Sequence, residues 1–178
     1  MGLRESGKLG YAPLGKICVR KNIRRLGKDD LPHLGQFWVE HWSGEEIVTH
    51  GQVVRHKEVE AFVYSDWLAL VTFVIRGNEC EIISLNSLQE GIGIGTALLE
   101  EVILEAQKKH CRRAFLVTTN DNLDAIGFYQ RRGWSLSTLR RNAMEEARKL
   151  KPTIPLIGKH NIPLRDEIEL EMILPGPS

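Results

Sequence analysis

The sequence predicts an α/β fold (α+β in some schemes): a mixed, mostly antiparallel sheet flanked by helices. Three observations carry that expectation. Apolar residues recur at helical spacing in 31–42 and 95–110, short apolar runs separated by turn residues fill 51–85, and strand and helix patterns alternate from 80 to 132.

Taken in order, Ile17 to Ile23 is the first expected strand, centred on Val19. Asp29 or Asp30 can cap a helix over 31–42, in which Leu31, Leu34, Phe37 and Trp38 share a face and Pro32 sits in the tolerant first turn. Residues 51–56, Val59 to Val63 and Trp67 to Ile75 read as strands, and Arg76-Gly77-Asn78 as a turn. Cys80 to Leu85 is apolar on both faces, as a central strand should be. Gly95 to His110 is the longest helical pattern, with Ala97, Leu98, Val102 and Ala106 in one stripe. Ala114 to Thr119 is a strand, and 123–132 a short helix capped by Asn122 and ended by Gly133. A strand at Leu85 that returns at Phe115 through a helix is a crossover, so those two strands should be parallel.

The last quarter differs. It holds five of the seven prolines, a helix at Asn142 to Leu150 with a capping box from Asn142 and Glu145, and an irregular loop, KPTIPLIGKHNIPL. Glu167 to Leu174 alternates Ile168, Leu170, Met172 and Leu174, which predicts a half-buried strand with Glu167 and Glu169 on a solvated face. The chain is expected to be a loose tail over 1–15 and one domain over 16–178, with a proline-containing insert at about 136–166. The length of that insert predicts a cover over a cleft.

Composition narrows the function. The chain has 178 residues, 42% hydrophobic content and a formal net charge of +1, which argues against disorder and against a bulk nucleic-acid-binding surface. No apolar run reaches membrane-spanning length and the N-terminus has no apolar targeting core, so the expectation is a cytoplasmic protein with neither membrane nor nucleic-acid partner. Cys18, Cys80 and Cys111 are odd in number and widely spaced, which fits a reducing compartment and gives no metal-ligand pattern.

LQEGIGIGTALL, 88–99, places three alternating glycines directly before the long helix. A helix N-terminus presents free N–H groups and positive dipole, and glycines let phosphate approach them. The plain alternative is a tight turn with no ligand. The stretch lacks the lysine of a nucleoside-triphosphate loop and the GxGxxG of a dinucleotide site. A second unusual stretch, TTNDNLDAIGFYQRRGW at 118–134, carries Asn122, Phe128 and Tyr129 from a strand end into a helix. Tyr129 reads equally as a core aromatic.

Together the two stretches resemble the GNAT superfamily of acetyl-CoA-dependent N-acyltransferases. Glu90-Gly91-Ile92-Gly93-Ile94-Gly95 matches the family's Q/R-x-x-G-x-G/A except at its first position, where Glu90 stands and Gln89 comes one residue early. Asn122, Ala125, Phe128, Tyr129, Gly133 and Trp134 match N-x-x-A-x-x-F-Y-x-x-x-G-F. The resemblance covers about 17–135 and implies a central parallel strand pair that splays apart. It implies that amides around Gly91, Gly93, Ile94, Gly95 and Thr96 hold the CoA pyrophosphate. The backbone of Ile83, Ser84 and Leu85 would pair with pantetheine like an added strand. Asn122 would touch the cofactor near the splay, and Tyr129 would protonate the leaving thiolate. Glu81 is the expected base, and His41, Trp42, His50 and Asp121 the expected acceptor side.

The implied reaction is acetyl transfer from acetyl-CoA to a primary amine, a small molecule or a protein amine, by direct attack in a ternary complex. Either internal cysteine is a covalent nucleophile only in principle. Exposed sheet edges allow a homodimer. The alternative is a catalytically weak acyl-CoA-binding or regulatory module, motivated by Glu90 in the cofactor loop.

Overall fold

The structure, a computed structural model, describes residues 19–89 and 91–176. The expected tail, Cys18, Glu90 and the start of the expected first strand lie outside the described residues. Val19 and Arg20 are helical, and β1 begins later than expected, at Ile23–Arg25. α1 (Leu31–Trp42) buries Leu34, Phe37 and Trp38, with Pro32 in its first turn. Its end is a left-handed Ser43. A two-strand hairpin follows, β2 (Glu46–Thr49) and β3 (Gln52–Arg55), turning through His50 and Gly51, both at positive φ. The sequence reading has only the second of these strands. In β2, Glu46 opens the strand and the apolar run is too short to stand out from a turn.

Next come β4 (Glu60–Tyr64), β5 (Ala69–Arg76) and β6 (Glu79–Ser87), joined as antiparallel neighbours. α2 (Ile94–Lys108) crosses over to β7 (Arg113–Thr119), and β6 and β7 are parallel, as the crossover requires. α3 (Leu123–Gln130) and β8 (Ser135–Arg140) lead to α4 (Ala143–Leu150), and β9 (Glu167–Ile173) returns between β7 and β8. Among the described residues the main sheet has seven strands in the order β1-β4-β5-β6-β7-β9-β8, and β6–β7 is its one parallel pair.

The two faces of the sheet bury different cores. On one face α2 sets Ile94, Leu98, Val102 and Ala106 against Val71, Phe73, Ile82 and Leu116. On the other, α1 and the β2–β3 hairpin enclose Trp38, Ile47, Val54, Val63 and Leu70. Successive strand residues point to opposite faces, so one sheet feeds both.

The insert begins with a strand that the sequence reading lacks. That strand is β8, on the sheet edge with most side chains exposed. Such an edge has no buried face to write an alternating pattern. α4 forms, but not through a capping box. Asn142 is left-handed with no side-chain cap, and its N–H donates instead to Asp166 Oδ1 at 2.9 Å. Met144 and Ala147 of α4 pack on Leu164 and reach Val48 of β2.

Candidate functional site

β6 and β7 are paired from Glu79–Arg113 to Ile82–Leu116 and no further, although β6 runs on to Ser87 and β7 to Thr119. The two strands therefore part at the centre of the sheet. At the same level β6 carries a bulge: Phe73 pairs with Ile82 and Thr72 with Ser84, so Ile83 is the extra residue. Ile83 joins the α1-side core, and Ser84 stays on that face, its hydroxyl 2.7 Å from Thr72 Oγ1. Leu85 is thereby turned to the α2 side. The bulge and the parting leave the edge of 83–85 that faces β7 without a strand partner. That slot is what an extended, hydrogen-bonding arm needs.

The glycine loop lies at the end of this slot. Gly91 and Gly93 have φ of 81° and 85°, a region that L side chains avoid. Among the described residues, chain neighbours aside, nothing stands within 4 Å of where either would carry a Cβ, so the backbone there is open on that side. Gly95 has a different reason: its Cβ would lie 3.4 Å from the Phe128 ring and 3.8 Å from Leu85. Ile94 is buried and pins the first turn to the core. The first amide of the turn with a backbone partner is that of Ala97, which donates to Gly93 O at 3.0 Å. The preceding amides of 94–96 are the free donors of a helix start, with the dipole behind them.

Arg132 belongs here too, and the sequence reading did not include it. Its Nε donates to Thr96 Oγ1 at 2.8 Å, and its guanidinium lies 3.5 Å from the Phe128 ring centroid. That puts a cation at the N-terminal end of α2. Thirty-odd residues separate Arg132 from the loop, and nothing in the pattern of QRRGW distinguishes it from Arg131.

Tyr129 is 6% exposed, edge-on to Phe128 and Trp134. Its hydroxyl makes no hydrogen bond to any described side chain or backbone group. Burial pushes its ionisation well above the ordinary phenol range, so it stays a proton donor. Asn122 starts α3 without a side-chain cap: its amide nitrogen donates to Thr118 Oγ1 at 3.2 Å and its oxygen accepts from Lys159 Nζ at 3.1 Å. The thiols are unsuited to attack, since burial pushes Cys80 up to about 12 and Cys111 upward as well.

The opposite, α1-facing side of β6, β7 and β9 is polar. Glu81 is 5% exposed, accepting from Thr49 Oγ1 at 2.9 Å and from Arg76 at 3.1 Å. Each carboxylate oxygen already accepts a hydrogen bond, one of them from the Arg76 cation. His50 stacks on Phe115 at 5.6 Å with a 7° tilt, and its Nε2 lies 3.1 Å from Glu169 Oε2. Burial first, then Arg140, lowers its proton affinity, while Glu81 and Glu169 raise it. Glu167 is 3% exposed and paired with Arg140, and Glu169 is paired with Arg113. These two carboxylates therefore do not face solvent as the alternation predicted. The hairpin and the edge strand β8 close over them.

Trp42 donates its indole N–H to Asn86 Oδ1 at 2.9 Å, tying the end of α1 to β6 beyond the bulge. His41 is exposed and packs on Phe37 at 4.3 Å. Asp121 is buried, accepting from Thr119 Oγ1 and from the Lys159 N–H at 2.7 Å. Its visible work is to hold the insert to the end of β7. Among the described residues no group of His, Cys, Asp and Glu is arranged to hold a metal, and no helix is long and apolar enough to cross a membrane.

Comparison with known proteins agrees with this architecture. Two uncharacterized Bacillus subtilis proteins are similar in sequence: YdhI, 41% identical over 79% of this chain and 91% of its own, and YxbD, 39% identical over 75% and 87%. Among solved structures, a Bacillus subtilis acetyltransferase in complex with CoA superposes with a TM-score of 0.62 at 17% identity, over 86% of this chain and 99% of that one. An Elizabethkingia anophelis GNAT family acetyltransferase with acetyl-CoA bound gives 0.60 at 22% identity, over 86% and 99%. At such identities these two neighbours speak to fold alone. The model of the acetyltransferase (GNAT) family matches residues 19–134, which spans β1 through the end of α3 and takes in the slot, the glycine loop and Tyr129. With the parted strands, the bulge and the glycine-led helix in place, this chain belongs to the acetyltransferase (GNAT) family.

Proposed function

We propose that this protein transfers an acetyl group from acetyl-CoA to a primary amine by direct attack in a ternary complex. The observation that carries this is the parting of β6 and β7 after Ile82–Leu116, with the glycine-led start of α2 at the same end. The residues suit the cosubstrate. Free amides at 94–96 and the Arg132 guanidinium fit the pyrophosphate, and the unpaired edge at Ile83, Ser84 and Leu85 fits the amides of pantetheine. The CoA and acetyl-CoA held by the two superposed structures support the same reading.

Bound acetyl-CoA supplies a thioester as acyl donor. The amine attacks its carbonyl, and a backbone N–H at the bulge can steady the charge that develops on oxygen. Tyr129, buried and protonated, donates to the departing thiolate. The acceptor comes from the α1 side, past Trp42, His41 and His50, with Asp121 and Asn122 at the far end of β7. A small-molecule amine or a protein amine fits this description.

One observation favours the alternative of a weakly catalytic acyl-CoA-binding module: both oxygens of Glu81 are already engaged. Calorimetry decides cofactor use. Acetyl-CoA should bind, and Gly93→Val should weaken binding at least tenfold, because a β-branched residue resists the 85° φ that opens the loop. If the native protein takes up no acetyl-CoA, the enzyme and the binding module both fall. Binding without CoA release across a broad amine panel would favour the module.

A further inference from the structure

We propose that His50, seated on Phe115 and backed by Glu169, takes the proton from the acceptor amine. The proposal rests on the acetyl-transfer reading above. Its basis is position. Phe115 pairs with Glu81, one rung (about 3.3 Å of strand) before the last pair of the parting strands, and His50 stacks over it at 5.6 Å, on the face from which the acceptor arrives. The hairpin turn is built to put it there: His50 takes the left-handed region at φ 50°, with Gly51 beside it at 69°. Asn or Gly would satisfy that turn with no imidazole, so the turn by itself does not require histidine.

The two nitrogens are in different surroundings. Nε2 lies 3.1 Å from Glu169 Oε2, which favours the N–H at that atom. Nδ1 makes no bond to a described residue, and the side chain is 27% exposed, so its lone pair is open to an incoming ammonium. Four charged groups act on the ring: Glu81 of β6 and Glu169 of β9 favour its protonation, Arg113 of β7 and Arg140 of β8 oppose it. Glu81 then has a positioning role. Its bond to Thr49 fixes the residue before His50 and so the aim of the turn.

The step balances. The amine enters as an ammonium ion, and His50 Nδ1 takes one proton from it. The freed lone pair forms the C–N bond while the C–S bond breaks. Tyr129 gives its proton to the sulfur and recovers one from the amide nitrogen. His50 releases the first proton to solvent. The sum is ammonium plus thioester to amide, thiol and one proton.

The test follows CoA thiol release with the full-length protein, acetyl-CoA and a panel of a diamine, an arylalkylamine and a peptide N-terminus, across pH 5 to 9. Acetyl-CoA binding is measured alongside by calorimetry. In the native protein kcat/KM should fall on the acid side, below the ordinary histidine range near 6.5. His50→Gln should keep acetyl-CoA affinity, lose roughly a hundredfold or more in kcat, and lose that acid limb. Glu169→Gln should move the limb to lower pH, since a negative neighbour of the ring is gone. Glu81→Gln should lower the rate and also move the limb to lower pH without abolishing it, because Glu81 too is a negative neighbour of the ring. A His50→Gln protein that binds acetyl-CoA and keeps both rate and limb overturns the proposal and leaves the acetyl-transfer reading standing. A native protein that binds acetyl-CoA and acetylates no amine overturns both.

Discussion

Tyr129 shows how one side chain can hold two roles at once. Its ring is part of the α2-side core, in edge contact with Phe128 and Trp134, and its hydroxyl has no hydrogen-bond partner among the described residues. The ring is buried, but the hydroxyl oxygen keeps an opening to solvent, through which a ligand atom can meet it. Tyr129→Phe should therefore be neutral or mildly stabilising in urea while the acetyl-transfer rate falls about ten- to a thousandfold with acetyl-CoA affinity nearly unchanged. An unchanged rate would remove Tyr129 from the chemistry. Gly95 makes the complementary point. It lacks a side chain because the Phe128 ring stands 3.4 Å from its would-be Cβ, whereas Gly91 and Gly93 lack one because of φ. One glycine motif serves two physical needs, and only coordinates separate them.

The element that most changes its reading is the insert. Its prolines predict a loop over the cleft, but the segment is tethered along its length. Arg148 donates to the carbonyls of Pro155 and Leu164, and Lys151 Nζ caps the carbonyl of Trp42 at 2.7 Å. Asn120 bonds Pro163 O and the amides of Arg165 and Asp166. Asp121 receives the Lys159 N–H, and a Cβ on Gly158 would lie 2.0 Å from its Oδ2. Backbone N–H groups in an irregular loop need partners, and here half-buried Asn120 and buried Asp121 at the β7–α3 corner supply several of them. Asp121→Ala should cost about 1–3 kcal/mol through the orphaned amide and lost anchor. Limited proteolysis should then cut 152–163 faster than in the native protein. Equal cutting rates would mean that the Arg148 and Asn120 bonds suffice without it.

Across the whole molecule, the seven-stranded sheet divides the labour between its faces. The α2 face holds the larger apolar core and the start of the glycine-led helix. The α1 face combines a second core with the charged wall of Glu81, Glu169, Arg113 and Arg140. The slot joins them. A cavity in the α2 core should therefore weaken folding without touching the charged wall. Leu98→Ala, at a fully buried position, should lose about 2–5 kcal/mol, seen as a lower urea midpoint at unchanged slope. A loss below about 0.5 kcal/mol would show that the core refills the space.

Sequence by itself determined the class of fold, α1, α2 and their buried stripes, the parallel crossover, and the glycine loop with Tyr129. Each is written locally, in periodicity or in a motif a few residues long. Tertiary structure decided what depends on partners far apart in the chain. The β6 bulge at Ile83 comes from register against β5, which no single-strand pattern reveals. Edge strand β8 has no buried face to mark it, and short β2 gains its identity from pairing with β3. Arg132 reaches Thr96 because α3 packs on the start of α2, with Phe128 against Gly95. Glu167 and Glu169 alternate like a solvated face, yet they are covered by a hairpin more than a hundred residues upstream and by β8. Alternation fixes which residues share a face, and long-range packing alone decides whether that face meets water.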